Sequence, residues 1–173
     1  MSNVIVKVFI FQLFIYTIRQ TKELHMTQVQ TKKTTSSTAI DARGPRFSAV
    51  LTTLVLATAL ISGQTWILVA QGIVFAIGAF RGPQFTPYAF IFRTFIKPRI
   101  KGEAKTEDVR PPQFAQSVGL IFALVGVAGA LAGVPAIFTI ATGFALAAAF
   151  LNAAFNFCLG CEIYLLIFRL RKA

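Results

Sequence analysis

Apolar residues in this chain come in long blocks, without the alternation of a half-buried strand or the spaced stripe of a water-facing helix. From Phe47 to Phe80, and again from Phe114 to Phe168, almost every position is apolar or small. Only helices and closed barrels satisfy every backbone group inside hydrocarbon, and period-2 alternation is absent, so helices are predicted. A crossing of about 30 Å takes roughly 20 residues, which makes each block too long for one span. Each block also carries a break, Ser62-Gly63-Gln64-Thr65 in the first and Gly133-Val134-Pro135 in the second. The pattern therefore predicts an all-α integral membrane protein whose four transmembrane helices, at about 46–62, 65–81, 113–133 and 136–158, form two helical hairpins. Pro45 and Pro112 stand where the first and third helices begin, a position at which the missing N–H costs little. Trp66 follows the first break, as an interfacial aromatic would.

The two hairpins share short motifs at both ends. Arg43-Gly44-Pro45-Arg46-Phe47 and Arg110-Pro111-Pro112-Gln113-Phe114 have Arg-x-Pro-x-Phe in common, and Tyr88 to Arg93 and Tyr164 to Arg169 have Tyr-x-x-Ile-Phe-Arg. Two spans per unit keep both copies in one orientation, which predicts a repeated hairpin about an axis along the membrane normal. Between the units, Phe85, Tyr88, Ala89, Phe92, Phe95 and Ile96 fall at helical spacing beside Arg93 and Lys97. That spacing predicts an amphipathic helix lying in the interface. In the second unit Gly126, Gly129 and Gly133, then Ala145, Ala149 and Ala153, supply the small residues that let membrane helices pack closely. Gly129-x-x-x-Gly133 serves equally well for a contact within the chain or for a homo-oligomer.

Composition agrees with this picture. The 173 residues are 55% hydrophobic and 13% charged, too few ionic groups to furnish a water-exposed surface. The net charge of +11 raises the question of nucleic acid, but the bases flank apolar runs instead of lining one soluble face. The lipid bilayer, with its anionic headgroups, is the partner they fit. Neither break carries Lys or Arg, whereas Lys32, Lys33, Arg43 and Arg46, the stretch Arg81 to Arg110, and Arg169 to Lys172 lie on the other side. The positive-inside rule then makes both ends cytoplasmic in a multi-pass protein of the bacterial cytoplasmic membrane. Val4 to Ile18 is apolar but short, holds Lys7, and lacks a cleavage signature. It reads as a fifth span, a surface segment, or sequence ahead of a true start at Met26. Residues 1–42 are accordingly expected to be a poorly ordered or extra segment before a membrane domain at 43–169.

Candidate chemistry is scarce. The sole histidine, His25, lies in that leading segment, and no second acid falls in the apolar blocks to pair with Glu162. Hydrolase and kinase readings drop out. Asn152, Asn156, Cys158, Cys161 and Glu162 remain, clustered toward the inner end of the last helix. Cys158-Leu159-Gly160-Cys161 holds the chain's two cysteines, and on the reducing side of a membrane such a pair reads as reactive or metal-binding. On a continuous helix the two Cβ vectors diverge by roughly 60°, so a disulfide needs a local bend, for which Gly160 is the suited residue. A break there would bare amide donors that favour a thiolate, while Glu162 opposes it unless it accepts the proton. Two thiolates and one carboxylate fall short of the four ligands of structural zinc, so no metal or cofactor is predicted for one chain; a site shared between chains would complete the set. The bland alternative is structural: cysteine as a small hydrophobe, asparagine bonding across helices, and glutamate facing headgroups.

Several stretches resemble a known family. Asp41 to Phe47, Gln71 to Gly78, Arg110 to Gln116 and above all Ala149 to Glu162, with its asparagines and Cys-Leu-Gly-Cys-Glu, resemble the bacterial membrane family catalogued as domain of unknown function 4395. The resemblance covers about Asp41 to Arg169 and leaves residues 1–25 outside. The family has no assigned activity. Its actinobacterial settings, with thioredoxin-like or sulfurtransferase partners, imply thiol or sulfur chemistry. Three functions follow as expectations. The first is a thiol-disulfide or sulfur-transfer role with Cys158, Cys161 and Glu162 as the reacting groups. The second is a small transporter of a sulfur compound, with Gln71, Asn152 and Asn156 as polar contacts. The third is a structural subunit of a membrane complex.

Overall fold

Helix α1 (Arg43–Ser62) starts where Pro45 favours a first turn and stops where Gly63 takes a left-handed conformation, φ 65°. After Gln64 the chain turns straight into α2 (Thr65–Phe80). Pro83–Phe85 forms a 3-10 turn, and α3 (Pro87–Ile91) begins at Thr86, whose Oγ1 accepts from the Ala89 N–H at 3.2 Å. The path continues as a π-helical turn over Phe92–Ile96 and a 3-10 turn over Lys97–Arg99. Helix α4 (Arg110–Leu131) ends at Gly133, φ 72°, in a Schellman arrangement: Val134 N donates to Gly129 O and Gly133 N to Ala130 O. Helices α5 (Pro135–Phe155) and α6 (Leu159–Leu170) complete the chain. The computed structural model describes residues 39–100 and 106–171, which belong to one compact unit. The expectations for Val4 to Ile18, His25 and Met26 lie outside them.

Helices α1, α4 and α5 have 20, 22 and 21 residues and are long and apolar enough to cross a membrane. Helix α2 is apolar but has 16 residues, about 24 Å at roughly 1.5 Å per residue, which is less than a full crossing. Two further differences from the sequence reading have physical causes. The last span does not run to residue 158: it stops at Phe155 because Asn156 turns left-handed, and α6 is a separate helix. The amphipathic helix expected at 85–96 is helical from Pro87 to Ile96 but changes pitch at Phe92. Of the residues expected to face the acyl boundary, Phe85 and Phe95 are exposed, but Ala89 and Phe92 are buried against the protein.

Packing pairs the helices across the halves of the chain. Helix α2 lies most closely against α4, α1 against α5, and α4 against α5, with a lighter α1–α2 contact. Leu56, Leu68, Phe75, Ala123, Phe138 and Ala145 form the core. Glycine makes the approaches possible: a Cβ on Gly126 would meet Leu68 at 2.7 Å, and one on Gly129 would meet Ile137 at 2.5 Å and the Phe138 backbone at 3.1 Å. The close packing expected of the third and fourth helices is therefore present, and Gly129 serves it within the chain.

The starts of α1 and α4 are tied together. Strand β1 (Ala39–Asp41) pairs antiparallel with β2 (Thr106–Asp108), Ile40 opposite Glu107. This strand lies a few residues ahead of the membrane domain expected from Arg43. At the end of each strand an aspartate accepts from the first helical N–H, Asp41 Oδ1 from Arg43 N at 3.0 Å and Asp108 Oδ1 from Arg110 N at 2.9 Å. A residue from each helix start then reaches across to the opposite helix end: Arg46 Nε donates to Ala153 O at 3.4 Å and Gln113 Nε2 to Ala79 O at 2.8 Å. Finally, Phe47 packs on Phe92 with centroids 5.7 Å apart, and Phe114 packs on Tyr164 at 5.8 Å.

Candidate functional site

The site is a product of how α5 ends. Asparagine tolerates the left-handed region better than most residues, and Asn156, φ 55°, is the one described non-glycine residue found there. Its N–H donates to Asn152 O at 3.1 Å and Phe157 N donates to Leu151 O at 3.3 Å, so the last carbonyls of α5 are used as the chain turns away. Cys158 follows in extended conformation, φ −87° and ψ 99°, and caps α6.

This arrangement brings the cysteines together. Cys158 and Cys161 form a disulfide across a Cα–Cα separation of 5.2 Å. The extended backbone at Cys158 provides the bend that a regular helix lacks, so the break lies before the pair and not at Gly160 as the sequence suggested. Cys158 Sγ also accepts from Cys161 N at 3.3 Å, which ties that sulfur to one N–H of the first turn. Glu162 N donates to Cys158 O at 3.0 Å and closes the turn. A carboxylate in this position interacts favourably with the positive end of the helix dipole. Both cysteines and Glu162 are partly buried. Gly160 seats the turn on α4, where a Cβ would lie 2.6 Å from Ala115 Cα.

The other expected site residues divide between two places. Asn152 and Asn156 shape the end of α5 through their backbones, beside the cysteine turn. Gln71 belongs elsewhere. It is 1% exposed on α2, where Nε2 donates to Thr52 Oγ1 at 3.4 Å and Oε1 accepts from Tyr88 Oη at 2.7 Å. The three polar groups proposed as transporter contacts are therefore not gathered into one site. Burial pushes the Tyr88 phenol above its ordinary value near 10. No group of three His, Cys, Asp or Glu able to hold a metal occurs among the described residues.

Sequence reasoning gave no structural role to Asp41, Asp108 or Ala115, and took Arg46 and Gln113 only as members of a charge block and a repeated motif. The aspartates carried a signal: each stands two places before the arginine of Arg-x-Pro-x-Phe, so the repeated motif extends to Asp-x-Arg-x-Pro-x-Phe. The cross-helix roles of Arg46 and Gln113 were hidden because the two side chains differ in charge while occupying the same place. Among known proteins, one family, described as a domain of unknown function (DUF4395), matches residues 40–169. No curated protein and no solved structure matches the chain.

Proposed function

The chain belongs to the DUF4395 family, and from the part of it that the family match spans we propose a multi-pass membrane protein that exchanges disulfides through Cys158 and Cys161. Four crossings are the reading that the pairings support. The β1–β2 pair holds the starts of α1 and α4 at one end, so α2 must return there after the Gly63 turn despite its length. Arg81, directly after α2, marks that boundary. Two ties repeat in both halves, an aspartate on the first helical N–H and a side chain onto the opposite helix end, while the ring contacts fall on different positions of the trailing motif, Phe92 and Tyr164. They support a duplicated helical hairpin about a pseudo-two-fold axis passing between Ile40 and Glu107. By its positive charge, the tied end is cytoplasmic.

The observation that carries the chemical reading is the contact of Cys158 Sγ with the Cys161 N–H in the first turn of α6. A helix N-terminus favours the thiolate, which makes Cys158 the nucleophile and Cys161 the resolving thiol. In the reduced protein the Cys158 thiolate attacks a partner disulfide and releases one partner thiol, giving a mixed disulfide. Cys161 then attacks Cys158, restores the internal disulfide and frees the second partner thiol, so two electrons pass to the partner. Glu162, in the same turn, is suited to take the Cys161 proton. A thioredoxin-like or sulfurtransferase protein fits the partner role. Cys161→Ser should trap a mixed disulfide that non-reducing gels resolve after extraction in mild detergent, and adding Cys158→Ser should abolish it. A Cys161→Ser protein without any adduct would remove the exchange reading.

A further inference from the structure

The two halves fix the junction between bundle and surface helix by different chemistry. In the first half Thr86 sits between Pro83 and Pro87, donating Oγ1–H to Pro83 O at 2.9 Å while accepting from Ala89 N. Proline rings and a buried hydroxyl hold that junction without any reducible bond. Aligning Tyr88 with Tyr164 sets Gly82 beside Cys158 and Phe85 beside Cys161, so the second half meets the same need with a disulfide in place of prolines. One junction is indifferent to reduction, and the other contains a bond that reduction cleaves.

What the openable junction controls is α6. None of its residues is buried, and Ile163, Leu166, Ile167 and Leu170 are exposed, with Arg169 and Arg171 at its far end. Apolar residues beside terminal cations are the make-up of a helix that lies at the acyl–headgroup boundary. Against this pull toward lipid, α6 is seated on α4 through Gly160 on Ala115 and Tyr164 on Phe114, both in the half next to the disulfide. We infer that Cys158–Cys161 is a latch on a lipid-seeking helix: closed, it holds α6 against α4; opened, it lets α6 settle into the headgroup layer. Opening takes two electrons and two protons from a dithiol, which leaves as its disulfide while Cys158 and Cys161 become thiols. The latch rests on the exchange reading only in needing a pair that can be reduced in the folded protein.

Leu166→Trp in a Trp66→Phe background places a single tryptophan on α6. The protein is reconstituted into phosphatidylcholine–phosphatidylglycerol vesicles with brominated acyl chains. Fluorescence is read before and after dithiothreitol, with thiols titrated on the same samples. Quenching should rise about twofold on reduction, as α6 gains lipid contact. The Cys158→Ser/Cys161→Ser double variant should show the higher level with or without reductant. Equal quenching in samples whose thiols do titrate overturns the latch and leaves exchange standing. A pair that dithiothreitol cannot reduce overturns both. Failure of the Cys161→Ser trap with a working latch overturns exchange alone.

Discussion

Tyr88 and Gln71 form the most exacting pair of side chains in the first half. Gln71 is buried, its amide oxygen satisfied by the Tyr88 hydroxyl, and an orphaned buried acceptor costs about 1–3 kcal/mol, with membrane helices toward the low end. Tyr88→Phe should therefore lower stability by about 1 kcal/mol, read as a shift in thermal unfolding in detergent. Because the folded phenol titrates above its ordinary value, its contribution is intact below pH 10 and is lost as pH rises through the folded value. An alkaline loss of stability present in the native protein and absent in Tyr88→Phe would identify this group. Equal alkaline profiles would count against it. Single residues were legible where chemistry is rare, as with the cysteines. They were not legible where a role depends on a distant neighbour, as with Gln71, whose two partners lie on other elements.

At the scale of elements, hydropathy located the helices to within a few residues, since apolar length and the glycine turns are both written in local sequence. The exception is the division between α5 and α6. Asn156 lies in a run of alanine, phenylalanine and leucine that reads as continuous helix, and only its backbone conformation reveals a stop. A residue with Cβ branching there pays a left-handed penalty of about 1–2 kcal/mol. Asn156→Gly should be tolerated and Asn156→Val should destabilise by that amount in chemical denaturation. The valine variant should also slow formation of the Cys158–Cys161 disulfide, timed by thiol titration, because the extended step at Cys158 depends on the preceding turn. Equal rates for the two variants would separate the break from the pairing.

For the whole molecule, the dominant feature is how charge is set out along the chain. The described charges all lie before Phe47, between Arg81 and Arg110, or from Glu162 onward, while the turns at Gly63 and Gly133 carry none. With Cys158 and Cys161 replaced by serine, single cysteines at Gln64 and Val134 should react with impermeant maleimide from outside intact cells. Cysteines at Lys97 and Arg171 should stay protected until the membrane is opened, and the reverse pattern would invert the proposed orientation. The charge blocks themselves were readable from sequence. The β1–β2 tie was not, because two strands of 3 residues each, distant in the chain, leave no local periodicity. That tie also bears on biogenesis. A ribosome delivers β1 well before β2, so on the four-crossing reading proposed above the leading pair of helices waits in the bilayer with its strand uncommitted. Closure of the assembly is then a single late event, timed by the arrival of Thr106–Asp108 and not by insertion itself.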